Sequence, residues 1–349
     1  MTPTTLVLRA LLWLGALLLL SLLLLFGHGV WLLAFRRWSA PRVARGRALL
    51  YTVVDGPPGR GEDLALLRSL PLRLQVRLVV ELASSIAGPQ KEYLVGLADE
   101  IGLVRAAERL CRSRLWWRRL RGIRLLTVLG GGGAIVPALL DDRHPLVRAE
   151  AAVWAAAHPD PGVIGRLLRL LPDPASLCRF SVRDSLLRMG PAASAALLHY
   201  LEANSGPVLV PALEVAAGLA DPSFFPVAVR LCDAPEPGVR RGAAELVGAI
   251  GGSEAIDTLT GLLRDPDAGV RAAAAAALGK LGHWPAAGTL AGLLRDPAWA
   301  VRREAGLALR ALGSPGQLFL RRALADEDRF AADMARQVLD LPGATREAP

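Results

Sequence analysis

The stretch Leu262–Gly282, LLRDPDAGVRAAAAAALGKLG, is almost repeated at Leu293–Gly313, LLRDPAWAVRREAGLALRALG. Corresponding residues lie 31 positions apart, among them the pairs Asp265/Asp296, Val270/Val301 and Arg271/Arg302. A fixed period of about 20–50 residues indicates a repeat architecture, in which each unit buries its apolar face against its neighbours. The duplication therefore predicts a stack of similar units rather than one globular core.

One unit is predicted to be a helix, a tight turn and a second helix. From Ser253, a plausible N-cap, apolar residues follow at helical spacing up to Leu263. The Asp265-Pro266 step ends this helix, because the residue before proline is pushed out of the α region. A second helix begins near Gly269, runs through the alanines and is followed by a glycine.

Further copies of the Val-Arg pair extend the pattern upstream. Val239-Arg240 lies 31 residues before Val270-Arg271, and looser copies with drifting spacing lie earlier in the chain, at Val76-Arg77, Val147-Arg148 and Val182-Arg183. We interpret the early copies as repeats that carry insertions or are degenerate. Residues 63–342 are then expected to hold about eight helical pairs.

The pattern D-P-x-x-x-V-R-x-x-A-A-x-A-L-G resembles the short HEAT repeat named after phycobilisome lyases. The resemblance covers about residues 140–340 and is weaker over 64–130. It implies an α-solenoid in which the turn Asp and the helix Arg form a structural ladder, here expected from Asp142, Arg148, Arg240, Asp265, Arg271, Asp296 and Arg302. Ala234 replaces the Asp before Arg240, and Glu327 and Asp333 replace the last Asp and Arg, as expected of a terminal cap.

The N-terminus predicts a single transmembrane helix. No formal charge occurs from Ala10 to Phe35, and about 20 apolar residues suffice to cross the hydrocarbon core. A cleavable signal peptide has a shorter apolar core, so we favour an uncleaved anchor. The expected class is therefore all-α, with an anchor at 1–36, a basic Pro/Gly linker at 37–62, the HEAT-like solenoid at 63–342 and a disordered tail at 343–349.

Charge at the helix ends predicts the orientation of the chain. One arginine precedes the apolar run, and five follow it closely: Arg36, Arg37, Arg42, Arg45 and Arg47. The positive-inside rule then places the solenoid on the cytoplasmic side of the cell membrane. The three cysteines, which are widely separated and lack metal or disulfide spacing, agree with a reducing compartment.

The net charge of +9 is concentrated in two places. Residues 1–47 contribute +6 and residues 105–124 contribute +7, so the rest of the chain sums to about −4. Basic residues with interleaved Trp suit anionic lipid head groups, phosphate backbones or an acidic protein, and they also suit a solvated face over a repeat core. The membrane-surface hypothesis names Arg36, Arg37, Arg112, Arg114, Trp117, Arg118, Arg119 and Arg121.

The sequence offers no catalytic residue, cofactor site or metal site. The five histidines are scattered without metal-ligand spacing. The glycine run in Leu129–Leu139 lacks the Gly-Lys-Ser/Thr of a phosphate loop and is interpreted as a helix stop between repeats.

The favoured function is a membrane-anchored, non-catalytic scaffold or adaptor that binds another protein. The partner is expected on the concave face formed by the second helices, at Arg241, Glu245, Ala273, Ala276, Arg303 and Glu304. Those positions combine a small apolar centre with a charged rim. Two alternatives remain open: a nucleic-acid-binding protein, which the location of the charge disfavours, and a lyase-type enzyme, which the resemblance includes.

Overall fold

The computed structural model describes residues 3–55, 67–83, 85–86 and 88–342, and every regular element in these ranges is helical. The all-α class predicted from the sequence is confirmed. The chain divides into two compact units, residues 1–132 and 133–349. The predicted tail at 343–349 and residues 56–62 of the predicted linker lie outside the described residues.

The first unit begins with one long helix. Helix α1 spans Pro3–Asp55 without interruption at residue 36 and contains Pro41. The chain is therefore helical over 37–55, where a Pro/Gly linker was expected. Arg, Ala and Leu, which have high helix propensity, dominate residues 42–50 and offset the one hydrogen bond that Pro41 removes. Four shorter helices follow: α2 (Leu72–Ala83), α3 (Pro89–Glu100), α4 (Leu103–Cys111) and α5 (Trp116–Leu129).

The glycine run ends α5 as predicted. Gly130, Gly131 and Gly132 have φ values of 76°, 83° and 83°, a region that residues with a side chain rarely adopt. The first unit ends after Gly132. The glycines therefore stop the helix at the boundary between the two compact units.

The second unit contains seven helical pairs among the described residues. The first helices of the pairs are α6 (Val136–Leu139), α8 (Pro161–Arg169), α10 (Pro191–Ala203), α12 (Phe225–Leu231), α14 (Ser253–Leu262), α16 (Ala287–Gly292) and α18 (Ser314–Ala323). The second helices are α7 (Pro145–Ala155), α9 (Ser176–Met189), α11 (Val210–Leu219), α13 (Pro237–Ile250), α15 (Ala268–Lys280), α17 (Trp299–Ala311) and α19 (Arg329–Asp340). Each second helix packs on the next, so these helices form one continuous layer.

One fully buried residue marks the same position in six successive second helices or the turns that lead into them. The residues are spaced by 30 or 31 positions and are Val147, Cys178, Leu209, Val239, Val270 and Val301. The period that is visible in two copies therefore extends through most of the second unit. Two members, Cys178 and Leu209, replace the valine, and this hid the register upstream of residue 239.

Small residues set the separation of the second helices. A Cβ atom on Gly248 would lie 2.5 Å from the Cβ of Ala277, and one on Gly279 would lie 2.6 Å from the Cα of Ala308. The two glycines are one repeat apart. The alanine-rich sequence thus reflects close approach of neighbouring helices, as the sequence predicted.

Candidate protein-binding groove

The layer of second helices carries an open groove of about 600 Å³ on its surface. Helices α9, α11, α13, α15 and α17 contribute to it. Its floor consists of small residues: Ala217, Gly218, Gly248, Ala249, Gly269, Ala272, Ala273, Ala276, Ala277 and Ala300. Because these side chains are short and uncharged, the floor is apolar and lies close to the helix backbones.

Charged side chains of both signs border this floor. Arg183 Nη1 lies 2.8 Å from Glu214 Oε2, and Arg241 Nε lies 3.9 Å from Glu245 Oε1. Lys280 and Glu304 complete the border. Exposed ion pairs of this kind contribute only about 0–1 kcal/mol to stability, so these groups can change partners at little cost.

The structure brings five of the six predicted concave-face residues together. Arg241, Glu245, Ala273, Ala276 and Glu304 all line the groove. Arg303 does not line it, since its guanidinium lies 5.8 Å from the centre of the Trp299 ring and pairs with Glu304. The reason is local: Trp299 precedes Arg303 by one helical turn and offers an aromatic face.

Sequence reasoning missed three charged residues of the border, Arg183, Glu214 and Lys280. Val182-Arg183 imitates the repeated Val-Arg pair and thereby suggests a wrong register for this repeat. The structure corrects this register. Cys178 takes the buried position, and Arg179 donates from Nη1 to the carbonyl of Asp173 in its own turn.

The ladder joins consecutive repeats on another side of the same helices. Arg148, Arg240 and Arg271 each donate two hydrogen bonds of 2.7–2.9 Å from Nε and Nη2 to one carboxylate of the following repeat. The acceptors, Asp173, Asp265 and Asp296, lie 25 residues further along the chain in each case. The Asp and Arg of one repeat, six residues apart, therefore do not pair with each other's side chains.

Within each repeat the arginine instead holds its own turn. Its Nη1 donates to the backbone carbonyl six residues earlier, at 2.7–2.9 Å, in Arg148, Arg179, Arg240, Arg271 and Arg302. The turn Asp accepts from the backbone N–H two residues on, at 2.8–2.9 Å, in Asp142, Asp173, Asp265, Asp296 and Asp326. The predicted ladder residues all take part in this network, and Asp173, Arg179 and Asp326 extend it.

The ladder carboxylates are buried and ionised. The side chains of Asp173, Asp265 and Asp296 are 4–6% exposed. The hydrogen bonds from Arg240 hold the pKa of Asp265 below its ordinary value. For Asp296, burial raises the pKa, but the hydrogen bonds from Arg271 and from the N–H of Ala298 outweigh it, so that the pKa is lowered.

The ladder is interrupted in the middle of the unit and changes at its end. Arg179 has Asn204 at the position 25 residues on, and the next repeat has Val210 in place of the arginine. At the end, Asp326 pairs with Arg295 at 2.8 Å, and Arg302 lies over the ring of Phe330 at 4.9 Å. The prediction that Glu327 stands for the last turn Asp is wrong, because Asp326 makes the turn contact.

The basic stretch of the first unit divides into exposed and buried residues. Arg37, Arg112, Arg114, Trp117, Arg118 and Arg121 are exposed. Arg119 is only 7% exposed and donates from Nη1 to the carbonyls of Ser113 and Arg114 at 3.0 Å. Its assignment to a membrane surface is therefore wrong, because it holds its turn as the ladder arginines do. The placement of the Arg36 side chain lies outside what the structure describes.

The three thiols are poorly suited to nucleophilic chemistry. Burial raises the pKa of Cys111 and Cys178 to about 11 and that of Cys232 to about 12. A thiol in this range stays protonated at neutral pH, whereas the thiolate is the reactive form. Among the described residues, no group of three His, Cys, Asp or Glu side chains is placed to hold a metal ion.

A family model for HEAT repeats matches residues 194–279 and 259–340. The chain is similar to the karyopherin Kap121p bound to the SUMO protease Ulp1p, with a TM-score of 0.56, 13% identity, and coverage of 81% of this chain and 37% of that chain.

Two further similar structures have lower TM-scores. The CpcE–CpcF complex of phycocyanin lyase from Nostoc sp. PCC7120 gives a TM-score of 0.33 at 19% identity, covering 68% of this chain and 93% of that one. An engineered protein gives 0.37 at 20% identity, covering 80% and 87%. No curated protein matches the sequence. The repeat geometry and the family model agree, and residues 194–340 consist of HEAT repeats.

Proposed function

We propose that this chain is a membrane-tethered adaptor that binds a protein partner in the groove of its second helices and performs no catalysis. The observation that carries the proposal is the composition of the groove. A floor of Ala and Gly lies between side chains of both charge signs. An apolar centre with a polar rim is the usual composition of a protein-binding patch.

The groove is suited to a helix or an extended segment. Short floor residues allow a partner backbone to approach closely, and a helix laid in such a groove uses its small or apolar face for contact. Charged groups such as Arg241, Glu245 and Lys280 then set the register and exclude wrong partners. The similar karyopherin, whose structure contains a bound protease, supports a protein-binding use of this fold.

Membrane tethering is supported by the N-terminal helix. Residues Leu12–Trp31 form a 20-residue stretch with a mean hydropathy of 2.0, long enough to span a bilayer, although a signal sequence has the same features. The arginines after it favour a cytoplasmic position for the repeats by the positive-inside rule. The exposed Arg118, Arg121 and Trp117 on α5 suit contact with anionic lipid.

The groove is tested by placing a charge on its floor. Full-length Ala276→Glu is compared with Ala195→Glu, which puts the same substitution on the exposed surface of the first helix α10. After crosslinking in membranes, we expect Ala276→Glu to lose the proteins that wild type captures. We expect Ala195→Glu to retain them at wild-type yield. Equal capture by both variants would exclude the groove as the binding site.

The tether and its orientation are tested with a reporter fused after Pro349. Activity of a cytoplasmic reporter, together with carbonate-resistant membrane association, is the expected result. Cleavage after residue 31 and release of the chain would show that the apolar segment is a signal sequence. Activity of a reporter that works only outside the cytoplasm would reverse the orientation.

A further inference from the structure

The interruption of the ladder leaves one arginine with an open binding edge. Arg179 Nη1 donates to the carbonyls of Asp173 at 2.7 Å and Pro174 at 3.1 Å. The guanidinium is therefore held as in the three Arg–Asp pairs between repeats, which are the complete rungs of the ladder. The position 25 residues on is Asn204, whose amide donates to the carbonyl of Tyr200 at 2.8 Å. Among the described residues, no carboxylate lies within 4.0 Å of Arg179. Its Nε–Nη2 edge therefore lacks the acceptor found in the three complete rungs.

Exposure separates this position from the complete rungs. The arginine side chains of those rungs are 12–14% exposed, whereas Arg179 is largely exposed to solvent. Arg302 also lacks a ladder carboxylate, but Phe330 lies over its guanidinium and its Nε is buried without a hydrogen-bond partner. The edge of Arg302 is thus covered, and that of Arg179 faces solvent.

Two large apolar side chains close to Arg179 in the sequence of α9 are exposed. Leu177 is 51% exposed and Phe180 is 69% exposed. They are three residues apart on α9 and therefore share one face of the helix. Arginine is enriched among the few residues that carry most of the binding energy at protein interfaces.

We propose that Arg179 binds an Asp or Glu side chain of the protein partner, and that an apolar residue of the same partner segment packs on Leu177 and Phe180. The partner carboxylate completes the rung that Asn204 leaves unfilled. Bidentate carboxylate binding suits a planar guanidinium, and the two carbonyl contacts fix its orientation before binding. This inference rests on the proposed function, since it names a chemical requirement of the same protein partner.

The requirement is measured with a random heptapeptide library displayed on phage and selected against the full-length chain in detergent. Against wild type, we expect enrichment of peptides in which Asp or Glu adjoins an apolar residue. Synthetic peptides from this set should bind Arg179→Gln about tenfold more weakly, the size of one charge-assisted pair. Absence of acidic enrichment against wild type, or equal affinity for Arg179→Gln, would overturn the proposal.

Three further variants separate this site from folding and from the groove. Asn204→Asp keeps Arg179 and supplies the missing carboxylate from within the chain, so it should also weaken the acidic peptides about tenfold while the unfolding midpoint stays equal or rises. Full affinity in this variant would overturn the claim that the partner takes the ladder position. Arg183→Gln and Ala276→Glu alter the groove alone. If Arg179→Gln loses peptide binding and these two variants keep it, the result supports this site even if the groove proposal fails.

Discussion

Two adjacent arginines of α13 lie on different surfaces of this molecule. Arg240 is 12% exposed and grips Asp265 of the next repeat, whereas Arg241 is 49% exposed and borders the groove. The two side chains differ by one position in sequence, which rotates them by about 100° around the helix. The ladder arginines thus hold neighbouring repeats together, and the charged residues that border the groove remain exposed.

The comparison also separates fixed charges from exchangeable ones. Removal of one partner from a buried Arg–carboxylate pair strongly lowers the stability of the fold, because the remaining charge stays desolvated. An exposed pair such as Arg183–Glu214 exchanges protein contacts for water at little cost. Similar pairs in sequence therefore differ in energy according to the surface on which they lie.

The largest expected effect is the loss of a complete rung. Arg271→Ala removes the two hydrogen bonds to Asp296 and one to the carbonyl of Asp265. We expect the free energy of unfolding to fall by about 1–3 kcal/mol, measured by denaturant titration of the full chain in detergent. Arg241→Ala at the border of the groove is the control and should change it by less than about 0.5 kcal/mol. Equal effects of the two substitutions would contradict the distinction between ladder arginines and groove arginines.

Acidification should weaken the ladder, because its carboxylates become protonated. The folded pKa values of Asp265 and Asp296 lie below the ordinary 3.8, so their contribution to stability is present above that pH and is lost as the pH falls through the folded values. We expect the unfolding midpoint of wild type to decrease below about pH 4. In Asp265→Asn the midpoint should start lower and decrease less steeply over the same range. Parallel curves for the two proteins would contradict a role of this carboxylate.

A smaller effect is expected from the groove pair. Glu214→Gln removes the exposed ion pair with Arg183 and should change the free energy of unfolding by no more than about 1 kcal/mol. The residual effect should disappear in high salt, since exposed charges are screened there. Melting curves at two salt concentrations check this. A large, salt-independent loss would place Glu214 among the structural residues.

Much of the fold could be predicted from two near-identical stretches. The recurrence of Val-Arg after Asp-Pro located Arg271 and Arg302, and the apolar period located the buried valines. The register upstream was harder, because Cys178 replaces the valine and Val182-Arg183 imitates the pair four residues later. An apolar residue of different shape fills the buried position equally well, and a dipeptide match does not report burial.

The pairing within the ladder could not be predicted from spacing. Asp265 and Arg271 lie six residues apart in one repeat, yet each binds a side chain of a neighbouring repeat. That partnership depends on how one helical pair stacks on the next. Burial of Arg119 within a basic stretch was hidden for the same reason, since its acceptors are backbone carbonyls that carry no sequence signal.

The separate roles of the ladder and of the groove are tested most directly by measuring two quantities on one pair of adjacent substitutions. Arg240→Ala and Arg241→Ala are compared for unfolding midpoint and for the yield of proteins crosslinked in membranes. We predict that Arg240→Ala lowers the midpoint, while Arg241→Ala keeps the wild-type midpoint and loses captured partner. A wild-type midpoint in Arg240→Ala, or full capture with a lowered midpoint in Arg241→Ala, would contradict the assignment of these two surfaces.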